Sequence, residues 1–405
     1  MQHAPIRPED VGLSSDRLAR IDPWMRALVA QRKLAGLSVA VLRHGELAWF
    51  AAHGLADIAR ETPFTRQTLV RIYSMTKPLT STAIMMLYEE GRFQLDDPIS
   101  RFLPCFANPR VFVGGSRAKP ETAPAAREIT FRDLLTHTSG LTYGFMDATA
   151  IDALYRETGV DFQTSPQTLA EVVEKAAALP LLAHPGAAWN YSIGTDVLGR
   201  LVEVISGVPF DVFMKTRVLE PLGMHETGFQ VAPEFLPRLA ALYTRGPDGQ
   251  PTLMDDGPTS IFLKSRLPSG GGGLVSTMDD YVRFCRFMLN KGELNGTRLL
   301  GRKTVELMTA NHLNGDLADM GQPRFSESTY TGIGFGLGFS VMLDPAKAQI
   351  VGSPGEFAWG GAASTAFWID PKEDMAVVLL TQLLPSSTYP IRRELRVLTY
   401  QAVID

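Results

Sequence analysis

Phe357-Ala358-Trp359-Gly360-Gly361-Ala362-Ala363-Ser364-Thr365-Ala366-Phe367-Trp368-Ile369 runs into Asp370-Pro371-Lys372-Glu373-Asp374 and then Met375-Ala376-Val377-Val378-Leu379-Leu380-Thr381. The outer segments are apolar and rich in β-branched and aromatic residues, and the charged, proline-containing link between them reads as a turn between strands. Phe335 to Leu343 has the same texture just upstream. So do Gly36 to Val41 and Leu47 to Ala52 near the other end, joined by Arg43-His44-Gly45-Glu46, a hairpin connection with glycine at the turn. Five runs with short connections predict an antiparallel sheet built from both chain termini and flanked by helices.

The region between reads differently. Thr168 to Ala178 and Asp196 to Ile205 repeat apolar residues at helical spacing, and Ser206-Gly207 stops the second. The expected fold class is therefore α/β plus all-α, with an inserted helical domain. Residues 1–95 and 270–405 would form the α/β domain, residues 96–269 a mainly helical one, with the active site in the cleft between them. Arg110 to Arg127 and Arg245 to Gly257, rich in glycine, proline and charge, are expected to be loops that shape substrate preference. No internal repeat is present.

Composition narrows the function. The chain has 405 residues, 45% hydrophobic and 20% charged, enough to bury a large core. A net charge of -4 without Lys/Arg runs gives no reason to expect nucleic acid or an anionic membrane as partner. Met1 to Trp24 lacks the apolar core of a secretory signal, and no stretch suits a bilayer span. Cys105 and Cys285 are too few for a disulfide framework and suit a reducing, cytoplasmic setting. His225-Glu226 has no second histidine at the spacing a zinc site needs, so no metal and no cofactor are expected. A small-molecule partner remains.

The chemistry is carried by Tyr73-Ser74-Met75-Thr76-Lys77-Pro78, which precedes an apolar helical run, Leu79 to Tyr88, stopped at Gly91. Pro78 fits only the first turn of a helix, so the helix should start near Ser74 and place Lys77 on the same face three residues on. A serine hydroxyl needs a base within hydrogen-bond reach, and an amine serves if burial lowers its pKa. The four-residue pattern alone is weak. Ser116-Arg117-Ala118-Lys119 matches it equally well in a glycine- and proline-rich stretch, and the plain alternative for Ser74 is a helix N-cap.

Two further segments add weight. Tyr191 lies in Pro185-Gly186-Ala187-Ala188-Trp189-Asn190-Tyr191-Ser192-Ile193-Gly194, a loop leading into a helix, where its phenol could exchange a proton beside Lys77 rather than simply pack. In Phe357-Ala358-Trp359-Gly360-Gly361-Ala362 the paired glycines interrupt a strand, marking either a bulge or the close approach of another backbone or a ligand. There the Ala362 N–H could face the Ser74 N–H as an oxyanion hole.

Ser74-x-x-Lys77, Tyr191 after a Pro-Gly turn, and Trp359-Gly360-Gly361 resemble, in order and context, the serine β-lactamase and penicillin-binding-protein superfamily. More closely, the chain is similar to the class C β-lactamase-like carboxylesterases called family VIII esterases. Leu134-Leu135-Thr136-His137-Thr138-Ser139-Gly140-Leu141, Pro221-Leu222-Gly223-Met224 and Gly271-Gly272-Gly273-Leu274-Val275-Ser276-Thr277 extend the likeness over nearly the whole chain. The resemblance implies Ser74 as nucleophile, Lys77 and Tyr191 as the proton-transfer pair, Trp359, Gly360 and Gly361 as the substrate-lining strand, and the Ser74 and Ala362 amides as oxyanion hole. No Gly-x-Ser-x-Gly elbow offers another route to esterase activity.

Two departures bear on substrate. Tyr191-Ser192-Ile193 stands where β-lactamases resemble Tyr-x-Asn, and Trp359-Gly360-Gly361 where they carry Lys-Thr-Gly. An amide and a carboxylate-binding cation are lost and an aromatic surface is gained. A carboxylesterase for short-chain or aromatic esters is expected, with weak cephalosporin hydrolysis as a side activity. The rivals are a β-lactamase or D-amino peptidase, an acyltransferase, and a non-catalytic binding protein.

Overall fold

Eight strands form the central sheet: β1 (Gly36–Arg43), β2 (Glu46–Asp57), β3 (Thr62–Pro63), β4 (Ile333–Phe335), β5 (Ser340–Met342), β6 (Phe357–Gly360), β7 (Ala366–Asp370) and β8 (Met375–Thr381). Their order is β4-β5-β6-β7-β8-β1-β2-β3, and every neighbouring pair is antiparallel. The structure, a computed structural model, describes residues 6–160, 166–260, 263, 266–322, 324–325 and 328–405. The sheet thus joins the two chain ends through β1 and β8, with Leu37 opposite Thr381.

Eight strands stand where five runs were read, and glycine explains most of the difference. Phe335 to Leu343 breaks into β4 and β5 at a turn containing Gly336 and Gly338, the latter at φ +101°. Phe357 to Ile369 breaks into β6 and β7 at a turn closed by the Gly361 N–H on the Thr365 carbonyl, 2.9 Å. The two-residue β3 is too short to leave a periodic signal.

Six helices frame the sheet and the site: α1 (Ile21–Ala30), α2 (Thr76–Glu89), α3 (Leu169–Ala177), α4 (Gly194–Ser206), α5 (Met278–Leu289) and α6 (Ile391–Tyr400). β8 shows why its sequence is uninterruptedly apolar. Met375, Val377 and Leu379 pack with Ile21, Met25 and Leu28 of α1 and Ile391 and Leu395 of α6. Ala376, Val378 and Leu380 face the opposite way, into a core shared with Tyr281 and Phe284 of α5 and with Leu79 and Ala83 to Leu87 of α2. A strand covered on both faces alternates between two cores rather than between core and water.

Two segments read as loops are hairpins. Arg110–Ser116 pairs antiparallel with Lys119–Pro124, and Leu242–Arg245 with Pro251–Asp255. Val111-Phe112-Val113 and Leu242-Tyr243-Thr244 are ordinary strand sequences, hidden by the turn residues that follow them. The second hairpin gains a third, parallel strand, Leu383–Leu384. No helix among the described residues is long and apolar enough to cross a membrane.

Candidate active site

Ser74 sits where a short strand gives way to a helix. Val70–Arg71 pairs with Val275–Ser276, after which Tyr73 takes φ +44°, a left-handed conformation that a bulky residue adopts only under constraint. Tyr73–Met75 forms one 3₁₀ turn that continues into α2, with Pro78 in the first turn of the helix. The turn is anchored from outside. The Tyr281 hydroxyl donates to the Met75 carbonyl at 2.9 Å, and the Leu274 N–H donates to Thr76 Oγ1 at 3.2 Å.

Ser74 Oγ lies 3.3 Å from Lys77 Nζ and 2.6 Å from the Tyr191 hydroxyl. Lys77 is only 2% exposed and donates to the Gly271 carbonyl at 2.7 Å. Burial lowers its pKa to about 7, against the opposing pull of the Asp196 carboxylate, so at neutral pH much of it is an uncharged amine. Its nitrogen also lies 4.4 Å from the Tyr191 ring centre and 5.2 Å from that of Tyr143.

Tyr191 belongs to the loop that enters α4. His137 braces that loop: its carbonyl accepts the Asn190 N–H at 2.8 Å, its Nδ1 is 3.2 Å from Ser192 Oγ, and its ring centre is 5.0 Å from that of Tyr191. Burial pushes the Tyr191 phenol well above the ordinary tyrosine value, although hydrogen bonding with Ser74 and Trp359 works the other way. It therefore stays protonated at neutral pH. Burial and the nearby Lys77 hold His137 well below its usual value, which leaves it neutral.

β6 brings the third segment to the same place. β5 pairs only with Phe357 and Ala358, so Trp359 and Gly360 have a strand partner on the β7 side alone. Gly361 approaches the Ser74 turn so closely that a Cβ there would stand 2.3 Å from the Ile72 carbonyl oxygen. Neither bulge nor open loop describes it: the glycine allows two backbones to meet. Ser74 and Ala362 both line the cleft, and neither backbone N–H donates a hydrogen bond to another described residue. The Arg392 guanidinium of α6, which also lines the cleft, clamps the turn, donating to the Gly361 and Thr365 carbonyls, each at 2.8 Å.

The cleft has a volume of about 840 Å³ and is lined by Tyr143, Phe145, Tyr330, Ile333, Met342 and Trp359, besides Ser74 and Tyr191. Arg156, Glu356, Arg392, Arg393 and Arg396 also line it, so a space of this size offers an organic molecule both aromatic and charged walls. No cluster of metal ligands occurs among the described residues. Asp196, Tyr143, Gly271 and Arg392 were not picked out as site residues from the sequence. Only the run Gly270-Gly271-Gly272-Gly273 carried a usable signal, since four glycines before a strand imply close backbone contact.

Ser–Lys–Tyr contact at the foot of a helix beside an antiparallel sheet defines a class, the β-lactamase-like serine enzymes. Residues 21–401 match the Beta-lactamase family, and the chain belongs to it. Esterase EstB of Burkholderia gladioli is 32% identical over 402 residues, covering 94% of each chain. Protein Rv1367c of Mycobacterium tuberculosis is 38% identical over 360 residues, 87% of this chain and 86% of that one. Among solved structures, EstCE1, described as a hydrolase with promiscuous acyltransferase activity, superposes with a TM-score of 0.81 at 28% identity, covering 95% of this chain and 99% of its own.

Proposed function

We propose that the protein is a carboxylesterase working by two-step acyl transfer on Ser74, acting on short-chain or aromatic esters. The observation that carries the reading is the position of Ser74 Oγ between a buried lysine of pKa about 7 and a protonated tyrosine, 3.3 and 2.6 Å away. Ser74 Oγ bonds to the ester carbonyl carbon while its proton passes to the Lys77 amine. The oxyanion is held by the Ser74 and Ala362 amides. The bond to the alcohol oxygen then breaks as Tyr191 gives that oxygen a proton, which the Lys77 ammonium replaces. Water attacks the acyl-enzyme by the same route reversed, releasing the acid and restoring Ser74.

Lys77 is the base and Tyr191 the proton donor in this scheme, because burial favours the uncharged form of each. Similarity to EstB and the aromatic lining at Trp359 support esters over β-lactams, with cephalosporin cleavage a slow side reaction. Acyl transfer to an added alcohol is the second reading, favoured by the likeness to EstCE1. The cleft belongs, in this reading, between an α/β domain of residues 1–95 and 270–405 and a helical domain of residues 96–269. A cytoplasmic setting agrees with two unpaired cysteines.

The test is Ser74→Ala. It is expected to lower hydrolysis of a short p-nitrophenyl ester by at least about 10³-fold and to abolish fluorophosphonate labelling, with circular dichroism and Tm unchanged. Retained turnover would refute the acyl-enzyme, and nitrocefin turned over faster than esters would refute the substrate class.

A further inference from the structure

We propose that Asp196 is a positioning residue for the Ser74 reaction: its carboxylate holds the Gly271 N–H, and the carbonyl of the same residue, one peptide further on, orients the Lys77 amine toward Ser74. The proposal rests on the acyl-enzyme reading above and extends it to a residue that never meets substrate.

Asp196 is the third residue of α4 and 1% exposed. A carboxylate so deeply buried is costly unless its oxygens are satisfied. Oδ1 accepts the Ser269 hydroxyl at 2.5 Å and the Gly271 N–H at 3.1 Å, and the Tyr143 hydroxyl lies 3.5 Å from Oδ2. Any side chain at Gly271 would push against this pair. A Cβ there would stand 2.5 Å from Asp196 Oδ2 and 2.6 Å from the Tyr143 hydroxyl. Its neighbour is pinned as well, for the Gly270 carbonyl accepts Thr80 Oγ1 from α2 at 2.8 Å. The Gly270–Gly271 peptide is therefore held at both ends, its carbonyl by Thr80 and its N–H by Asp196, and the next carbonyl, that of Gly271, is presented to Lys77 at 2.7 Å.

That contact does specific work on a neutral amine, which has two N–H bonds and one lone pair. Giving one N–H to Gly271 stops free rotation about the terminal carbon–nitrogen bond and leaves the lone pair available to the Ser74 hydroxyl at 3.3 Å. Asp196 also acts through its charge, which burial opposes by raising its pKa and which the Ser269 hydroxyl, the nearby Lys77 and the Gly271 N–H favour. The groups packed around Lys77 are Asp196 from α4, Tyr191 from the loop before it, and Tyr143 and His137 from the segment after residue 135. The two phenols and the imidazole are neutral, so Asp196 is the group among them that opposes burial by favouring the ammonium.

The test is the pH profile of Asp196→Asn, which keeps the acceptor oxygen and removes the charge. Its acid limb in kcat/KM is expected to move down by about one pH unit, since Lys77 loses the charge that favours its protonated form. The same shift should appear in the rate of fluorophosphonate labelling, which needs no ester. A folded variant with the wild-type acid limb would overturn the proposal. Should Asp196→Asn fail to fold, Ser269→Ala serves, because losing that hydroxyl destabilises the carboxylate charge and shifts the limb the same way by a smaller amount. An unmoved limb there overturns it equally. The Ser74→Ala result separates the two ideas: turnover retained in that variant sinks the acyl-enzyme itself, whereas turnover lost there with an unmoved limb in the others sinks Asp196 alone.

Discussion

Ser74-Met75-Thr76-Lys77 and Ser116-Arg117-Ala118-Lys119 share one spacing and have opposite surroundings. The first opens α2, with a buried lysine whose nitrogen lies 3.3 Å from the serine oxygen. The second closes the hairpin between Arg110–Ser116 and Lys119–Pro124, where both side chains are exposed and Ser116 Oγ accepts the Lys119 N–H at 3.2 Å. In the helix the three-residue offset stacks two side chains on one face; in the turn the same offset makes a backbone cap. What turns a serine and a lysine into a reactive pair is desolvation of the amine, which spacing alone does not supply.

Breaking each lysine in turn is the sharpest way to attack that contrast. Lys77→Met is expected to cut kcat/KM by about 10³-fold or more, while Lys119→Met leaves it within about twofold. Tyr191→Phe should cost about 10² to 10³-fold, most for esters with poor leaving alcohols, because it removes the proton donor and leaves the base. Wild-type activity should rise through an acid limb near pH 7, where Lys77 becomes uncharged. The smallest effect is on stability, and it runs the other way. Lys77 is protonated in the unfolded chain up to about 10.5 and in the folded protein only up to about 7. Its burial therefore penalises folding fully below pH 7, and the penalty fades as pH rises toward 10.5. Lys77→Met should accordingly raise unfolding stability at pH 7 by about 1 to 3 kcal/mol, and Lys119→Met should not, as denaturant titration would read out.

Much of this was legible in the residues. Helix starts at Thr168 and close to Ser74, the sheet from both termini, and the glycine pair at 360 and 361 carried local signals that tertiary structure did not override. The hairpins at 110–124 and 242–255 escaped because turn residues outweigh three-residue strand cores in any short window. Asp196 escaped for another reason. An acidic residue in the first turn of a helix is what the helix N-terminus favours in any protein, so nothing local separates it from a surface carboxylate. Its partners at 269 and 271 are distant in sequence, and only folding brings them to it.

The pairing of β1 with β8 has a consequence for how the protein comes into being. Residues from the first and last tenths of the chain are neighbours in the sheet, with Leu37 beside Thr381. During synthesis β1 emerges early and waits, one edge unpaired, until almost the whole polypeptide has left the ribosome. Gly361, which presses against the Ser74 turn, arrives just as late. The nascent chain therefore carries Ser74 and Lys77 through most of translation without the strand that completes the cleft.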